Sequence, residues 1–116
     1  MEKRPNRILI VDDDRSIREA LSEYLSEKNY WVETADSGDV ALEAIKSKGF
    51  DVVLTDLMLP GMNGIEVISK LKKSPRTASI PIIMLTSMDK FDDVSEGYKQ
   101  GADGYITKPF TKAQII

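Results

Sequence analysis

The feature that most constrains the fold of this chain is a fivefold alternation of short apolar runs with longer amphipathic segments. The apolar runs are typical of β-strands and lie at residues 7–11, 30–35, 50–56, 81–86 and 104–107. The runs Ile8 to Val11 and Val52 to Leu54 are continuously apolar, as expected for strands covered on both faces. Strands that alternate with helices favour an α/β layer fold with a parallel sheet over a bundle or a sandwich.

Each amphipathic segment carries signals for the start and the end of a helix. The predicted helices run from Ser16 to Asn29, Ser37 to Gly49, Asn63 to just before Pro75, and Asp89 to Gly101. The residues from Ser16 to Glu19 match a capping box, in which a hydroxyl and a carboxylate satisfy the first backbone N–H groups. Residues 111–116 supply only about one turn of a fifth helix, so we expect that helix to be truncated.

Composition narrows the classes of function. The length of 116 residues and the 41% hydrophobic content fit one domain over residues 1–116. A net charge of -3 with dispersed Lys and Arg predicts no direct contact with nucleic acid. The absence of Cys excludes disulfides, and the absence of His excludes imidazole as a base, metal ligand or phosphocarrier. The short charged stretch Met1–Arg7 and the lack of a membrane-length apolar run predict a cytoplasmic location.

Polar residues lie at the carboxyl ends of four of the predicted strands. They are Asp12, Asp13 and Asp14 at the end of the first strand, Asp56 at the end of the third, Thr86 and Ser87 at the end of the fourth, and Lys108 at the end of the fifth. The carboxyl ends of parallel strands meet at one edge of the sheet, where ligands bind in open α/β folds. Carboxylates from two strands suit Mg²⁺, and a hydroxyl beside an ammonium suits the oxygens of a phosphoryl group. Asp56 would then be the nucleophile that forms an acyl phosphate.

Each of these residues also has an ordinary structural interpretation. Asp14 can cap a helix, Ser87 can begin one, Thr86 can end a strand, and Lys108 alone would be a surface lysine. Two adjacent carboxylates are harder to explain by stability, because repulsion at ~5 Å costs about 3 kcal/mol at an effective dielectric constant of ~20. The coincidence of four such strand ends on one edge favours a functional site.

These motifs resemble the receiver domains of bacterial two-component response regulators, similar to the single-domain chemotaxis regulator, over residues 7 to about 112. The resemblance implies a flavodoxin-like, doubly wound sheet of five strands ordered 2-1-3-4-5. Val11-Asp12-Asp13 resembles the acidic pair that holds Mg²⁺, with Asp13 as the direct ligand. Asp56 corresponds to the phosphoacceptor, and the Met58 carbonyl is expected on the metal.

The resemblance also assigns roles at the last two strands. Thr86 corresponds to the switch hydroxyl, Tyr105 to the aromatic that changes rotamer, and Lys108-Pro109 to the phosphate-contacting lysine before a cis-proline. It implies a sensor histidine kinase or a phosphotransfer protein as donor, and a surface near the fourth and fifth strands that changes on phosphorylation. Such a domain is not an enzyme but assists its own phosphorylation and dephosphorylation. The latter is expected to be slow, since Met58 and Met88 stand where relatives often carry polar groups.

Three alternatives remain open from the residues. Residues 12–16 resemble the signature of haloacid-dehalogenase phosphatases, which would make Asp12 the nucleophile, although the chain is short for that fold. A flavodoxin-like cofactor binder would carry hydroxyls rather than three negative charges in its first loop. A receiver that acts only as an unphosphorylated interaction module would not need the intact set of Asp13, Asp56, Thr86 and Lys108.

The truncated fifth helix leads to one further expectation. The first helix alone cannot cover its side of the sheet, so an apolar face should be partly uncovered. We expect the natural protein to continue past Ile116, where an output domain could follow, and we expect the 116-residue chain to self-associate.

Overall fold

All five predicted strands form in the structure. A computed structural model describes residues 6–57, 59, 61–87 and 91–108. Within them the strands are β1 (Arg7–Val11), β2 (Trp31–Ala35), β3 (Val52–Asp56), β4 (Ile82–Ser87) and β5 (Gly104–Lys108). They are parallel and lie in the order β2-β1-β3-β4-β5. The predicted doubly wound α/β sheet is therefore confirmed.

The described residues also contain four helices, which alternate with the strands along the chain. They are α1 (Arg15–Ser26), α2 (Gly38–Ser47), α3 (Gly64–Lys73) and α4 (Phe91–Gln100). Not one of them is both long enough and apolar enough to cross a membrane.

Apolar side chains of the strands contribute to two separate hydrophobic cores, one on each face of the sheet. In β1, Leu9 and Val11 belong to the core that packs against α2, α3 and α4, whereas Ile8 and Ile10 belong to the core that packs against α1. Successive side chains of a strand point to opposite faces, so a strand with helices on both sides must be apolar throughout. This explains the continuous apolar runs in the sequence.

The start of α1 differs from the predicted capping box. Its N-cap is Asp14, whose carboxylate accepts hydrogen bonds from the backbone N–H groups of Ser16 (2.8 Å) and Ile17 (3.4 Å). Glu19 instead forms an exposed ion pair with Arg15 at 2.9 Å. The capping box was wrong because the chain already turns into the helix at Asp14, which places Ser16 inside the first turn.

The other helix ends mostly follow the predicted signals. Ser37 and Asn63 cap α2 and α3 through their side chains, and α3 ends at Lys73, before Pro75. Gly101 follows α4 with a φ of +114°, a backbone conformation that favours glycine. Gly49 does not end α2, because that helix stops at Ser47 and its C-cap Lys48 is extended. The predicted cap at Asp89 and the truncated fifth helix lie outside the described residues, so the partly uncovered face stays a prediction.

Candidate functional site

Parallel pairing brings the candidate residues of four strands to one edge of the sheet. In the register, Val11 lies opposite Thr55, Asp56 lies opposite Leu85, and Ser87 lies opposite Lys108. Asp12 directly follows β1, and its N–H donates to the Ala35 carbonyl of β2 at 3.1 Å. The predicted convergence at the carboxyl edge is thus present in the fold.

Lys108 connects the two buried carboxylates of this edge. Its Nζ donates to Asp12 Oδ2 at 2.7 Å and to Asp56 Oδ2 at 3.1 Å. Asp12 Oδ1 accepts the Asp14 N–H at 2.9 Å, and the Asp12 carbonyl accepts from Arg18 Nη1 at 2.9 Å. Contacts within the protein therefore hold both the carboxylate and the backbone carbonyl of Asp12 in place without a ligand.

Burial shapes the electrostatics of this trio. The Asp12 side chain is 0% exposed and that of Asp56 is 10% exposed, against 22% for Lys108. Burial raises the pKa of the Asp12 carboxyl and the charge of Asp56 raises it further, while hydrogen bonds from Lys108 and from the Asp14 N–H oppose the shift. Burial alone would lower the pKa of Lys108, but the hydrogen bond to Asp12 and the charges of Asp56 and Asp12 outweigh it, so that pKa is raised. The two buried carboxylates therefore stabilise the positive charge of Lys108.

Three carboxylates at this edge could hold a metal ion. One oxygen each of Asp12, Asp13 and Asp56 can be chosen so that all lie within 4.8 Å of one another. Asp13 is exposed, whereas Asp12 and Asp56 are buried, so the set opens to solvent on one side. Hard oxygen donors that leave room for water fit Mg²⁺, which keeps several waters in proteins. Met58, whose carbonyl was predicted as a further ligand, lies outside the described residues.

Comparison with known proteins decides the family. The chain matches the family model described as the response regulator receiver domain over residues 8–116. It belongs to the response regulator receiver family.

Two curated relatives and one solved structure illustrate the likeness. The chain is 38% identical to the transcriptional regulatory protein ResD of Bacillus subtilis over 95% of its length, and 40% identical to SrrA of Staphylococcus aureus over 96%. It spans 45% of the length of each of these relatives. The chemotaxis response regulator CheY4 of Vibrio cholerae superimposes with a TM-score of 0.91 at 34% identity, covering 96% of this chain and 92% of that one.

The predicted switch residues of this receiver domain lie on neighbouring strands. Thr86 is 3% exposed and follows Leu85, the residue opposite Asp56. Tyr105, in β5, is 44% exposed, and its ring meets that of Tyr98 of α4 edge to face, with centroids 6.3 Å apart. The Tyr98 contact was not predicted. Pro109, predicted as a cis-proline, lies outside the described residues.

Backbone contacts fix the position of Asp56 in the receiver domain. The Thr55 hydroxyl donates to the Asp56 carbonyl at 3.0 Å, and the Gly64 N–H donates to the Leu57 carbonyl at 3.0 Å. A side chain at Gly64 would collide with the Asp56 carbonyl oxygen and lie 2.7 Å from Leu57 Cα. The loop after β3 thus returns close to its own strand, and the start of α3 braces the candidate phosphoacceptor.

Arg18 is a site residue that the sequence interpretation missed. Its guanidinium holds the Asp12 carbonyl from one turn inside α1. Its position four residues after the N-cap Asp14 places it on the helix surface nearest the strand end, which is a signal that could have identified it.

Proposed function

We propose that this receiver domain is a phosphoryl-accepting switch in which Asp56 takes a phosphoryl group in a Mg²⁺-dependent reaction. The observation that carries the proposal is the Asp12–Lys108–Asp56 bridge beside Asp13. It combines a carboxylate nucleophile, a cation and further carboxylates at the end of parallel strands. Phosphoryl transfer needs this kind of positioning and charge neutralisation more than it needs covalent help.

The reaction follows from the chemistry of these groups. An Asp56 carboxylate oxygen attacks phosphorus as the P–N bond of a phosphohistidine donor breaks, and the electron pair of that bond stays on the imidazole nitrogen. The product is an acyl phosphate on Asp56. Lys108 Nζ, which contacts both carboxylates, is placed to donate to a phosphoryl oxygen on Asp56.

The carboxylates of Asp12, Asp13 and Asp56, with the Met58 carbonyl, would hold Mg²⁺. When bound, the ion would supply positive charge that neutralises charge developing on the phosphoryl oxygens. The proximity of the three carboxylates supports this ligand set.

The alternative with Asp12 as nucleophile is less favourable. Asp12 is completely buried and its two carboxylate oxygens already accept from Lys108 and from the Asp14 N–H. An attacking oxygen must reach phosphorus, and these contacts hold Asp12 back from an incoming donor. If the domain acted only as an unphosphorylated interaction module, there would be no reason to keep two negative charges buried side by side.

The donor that we propose is a sensor histidine kinase or a phosphotransfer protein, since this chain has no His of its own. The transfer would take place in the cytoplasm, where ATP is available to such kinases. ResD and SrrA are named transcriptional regulatory proteins, and the chain spans 45% of their length. We infer that residues 1–116 are the receiver of a regulator with an output domain elsewhere, and that this domain itself does not contact nucleic acid.

Phosphorylation of Asp56 is directly measurable by intact-protein mass spectrometry. With acetyl phosphate and Mg²⁺, the wild-type chain should gain one phosphoryl group, and Asp56→Asn should gain none because the amide is not nucleophilic. Asp39→Asn, at an exposed position in the first turn of α2, is the matched control and should label like wild type. Removal of Mg²⁺ with a chelator should abolish labelling. Equal labelling of Asp56→Asn, or a label that maps to Asp12, would refute the assignment.

The proposed switch is tested separately at Thr86. Thr86→Ala should still accept the phosphoryl group, but the environment of Tyr105 should no longer change, because the hydroxyl that would be drawn toward the phosphoryl oxygens is missing. NMR of the Tyr98 and Tyr105 rings before and after phosphorylation measures this coupling. Thr34→Ala, an exposed hydroxyl on β2 at the other edge of the sheet, should behave like wild type. A Tyr105 response that persists in Thr86→Ala would exclude this switch.

A further inference from the structure

A groove lies at the end of the molecule opposite the acidic site. It consists of two adjoining depressions of about 330 and 320 Å³, which share Ile45, Lys46, Arg76 and Thr77 as lining residues. The last turns of α2 and α3 and the segments 48–50 and 74–80 form its walls. Each crossover helix runs back antiparallel to its strand, so this groove lies at the amino edge of the sheet, away from Asp56.

The floor of the groove is apolar. Leu42, Ile45 and Leu71 line the first depression, and all three belong to the core beneath α2 and α3 or pack against it. Phe50 and Ile80 extend this floor into the second depression. An apolar side chain of a ligand could therefore be buried here in contact with the core of the domain.

The rim of the groove is cationic, although the chain as a whole carries a net charge of -3. Four cationic residues and no acidic residue line the two depressions. The cations are Lys46, Lys48, Lys70 and Arg76. Lys48 pairs with Glu33, but within the part of the chain that the structure describes the other three form no ion pair. The local charge is thus opposite in sign to that of the whole chain.

Helix capping accounts for only part of this arrangement. Lys46 and Lys70 lie in the last turns of α2 and α3, where cations stabilise the helix dipole. Arg76 lies beyond α3 and has no such role. Stabilisation of a helix dipole also does not require an apolar groove beside the cations. Lys73 is also in the last turn of α3 and is exposed, yet it does not line the groove.

We propose that this groove is a docking site for an acidic protein segment that places apolar side chains on the floor and carboxylates against Lys46, Lys70 and Arg76. Complementary charge and a central apolar anchor are the two features that such recognition needs. A nucleic acid fits less well, because the cations surround an apolar floor instead of forming a stripe. This binding function is separate from the proposed phosphorylation of Asp56. Because the groove is remote from Asp56, the domain could bind such a segment and be phosphorylated at the same time.

The test uses a defined probe and the 116-residue chain. The probe is an N-acetylated helical peptide of about 12 residues, with Leu at i, i+4 and i+8 and Glu at most other positions. In an NMR titration, we expect the largest shifts at the amides of Ile45, Leu71 and Thr77. The double variant with Lys46→Glu and Arg76→Glu should bind about tenfold more weakly. Lys73→Glu reverses one charge beside the groove, against two in the double variant, and should bind within about twofold of wild type.

Other results would overturn the proposal. Shifts outside the groove, an equal loss in Lys73→Glu, or equal binding of a Leu/Lys peptide of the same pattern would each show that the groove does not select an acidic segment. Binding of a DNA duplex or an anionic lipid vesicle at the same amides, without binding of the Glu peptide, would assign the site to another class of partner. Asp56→Asn should bind the peptide like wild type, so failure here is distinguishable from failure of the phosphorylation proposal.

Discussion

Replacing Lys108 with Met should lower the free energy of unfolding of the metal-free domain by about 2–4 kcal/mol. The substitution leaves Asp12 and Asp56 at the same strand ends without the ammonium that contacts both. Asp12 is completely buried, so water cannot replace the lost charge and hydrogen bond. Urea denaturation in the presence of a chelator measures the loss.

Two companion measurements identify the cause of this loss. Mg²⁺ should restore part of the stability of Lys108→Met, because a cation that binds only the folded state stabilises it by mass action. Adding Asp12→Asn to Lys108→Met should also restore stability, since the substitution removes the buried charge that Lys108 had neutralised. Lys99→Met, at an exposed position in the last turn of α4, is the matched control and should change stability by less than about 0.5 kcal/mol. If both Lys variants lose the same amount, the bridge does not stabilise the domain.

Much of the fold was predictable because local and global signals agree along the strands. A continuous apolar run such as Ile8 to Val11 must be covered on both faces, and the two cores confirm this. Parallel strands place their carboxyl ends at one edge, so the neighbourhood of Asp12, Asp56 and Lys108 followed from topology alone. The family resemblance, confirmed by the match over residues 8–116, supplied the strand order.

The interactions within the site were less accessible to sequence analysis. The sequence drew attention to repulsion between Asp12 and Asp13, but the structure buries Asp12 and exposes Asp13, so the two differ in environment. The ion pair between Lys108 and Asp12 joins residues 96 positions apart and depends on side-chain directions that no local pattern encodes. The N-cap of α1 was also ambiguous in the sequence, because both Asp14 and Ser16 are acceptable caps. The path of the chain places Asp14 at the cap position.

The groove was not predicted at all from the sequence. Its lining comes from two helices and from the segments 48–50 and 74–80, and no periodic pattern links Lys46 to Arg76. Such a surface depends on how α2 and α3 end relative to one another, which is set by packing against the sheet. Surface sites assembled from several elements are therefore the part of this molecule that needed the structure.

Gly64→Ala should impair both stability and phosphorylation more than the small size of the added methyl group suggests. The added methyl group would collide with the Asp56 carbonyl oxygen and lie 2.7 Å from Leu57 Cα, and both are backbone atoms that cannot rotate away. Either the start of α3 or the end of β3 must move, and the Gly64 N–H bond to the Leu57 carbonyl would be strained. We expect a loss of about 3 kcal/mol in the free energy of unfolding. The phosphorylation rate should fall by at least about tenfold, because a displaced Asp56 no longer aligns with Lys108.

Gly49→Ala provides the matched control for this prediction. Gly49 is exposed, has no atom within 4 Å of an added methyl group, and does not adopt a left-handed backbone. Its substitution should leave phosphorylation unchanged and stabilise the fold by about 0.4–1 kcal/mol, since alanine restricts the unfolded chain. Denaturant melts and acetyl phosphate labelling of both variants measure the contrast. Normal phosphorylation in a folded Gly64→Ala protein would show that the position of Asp56 does not depend on the close approach of α3.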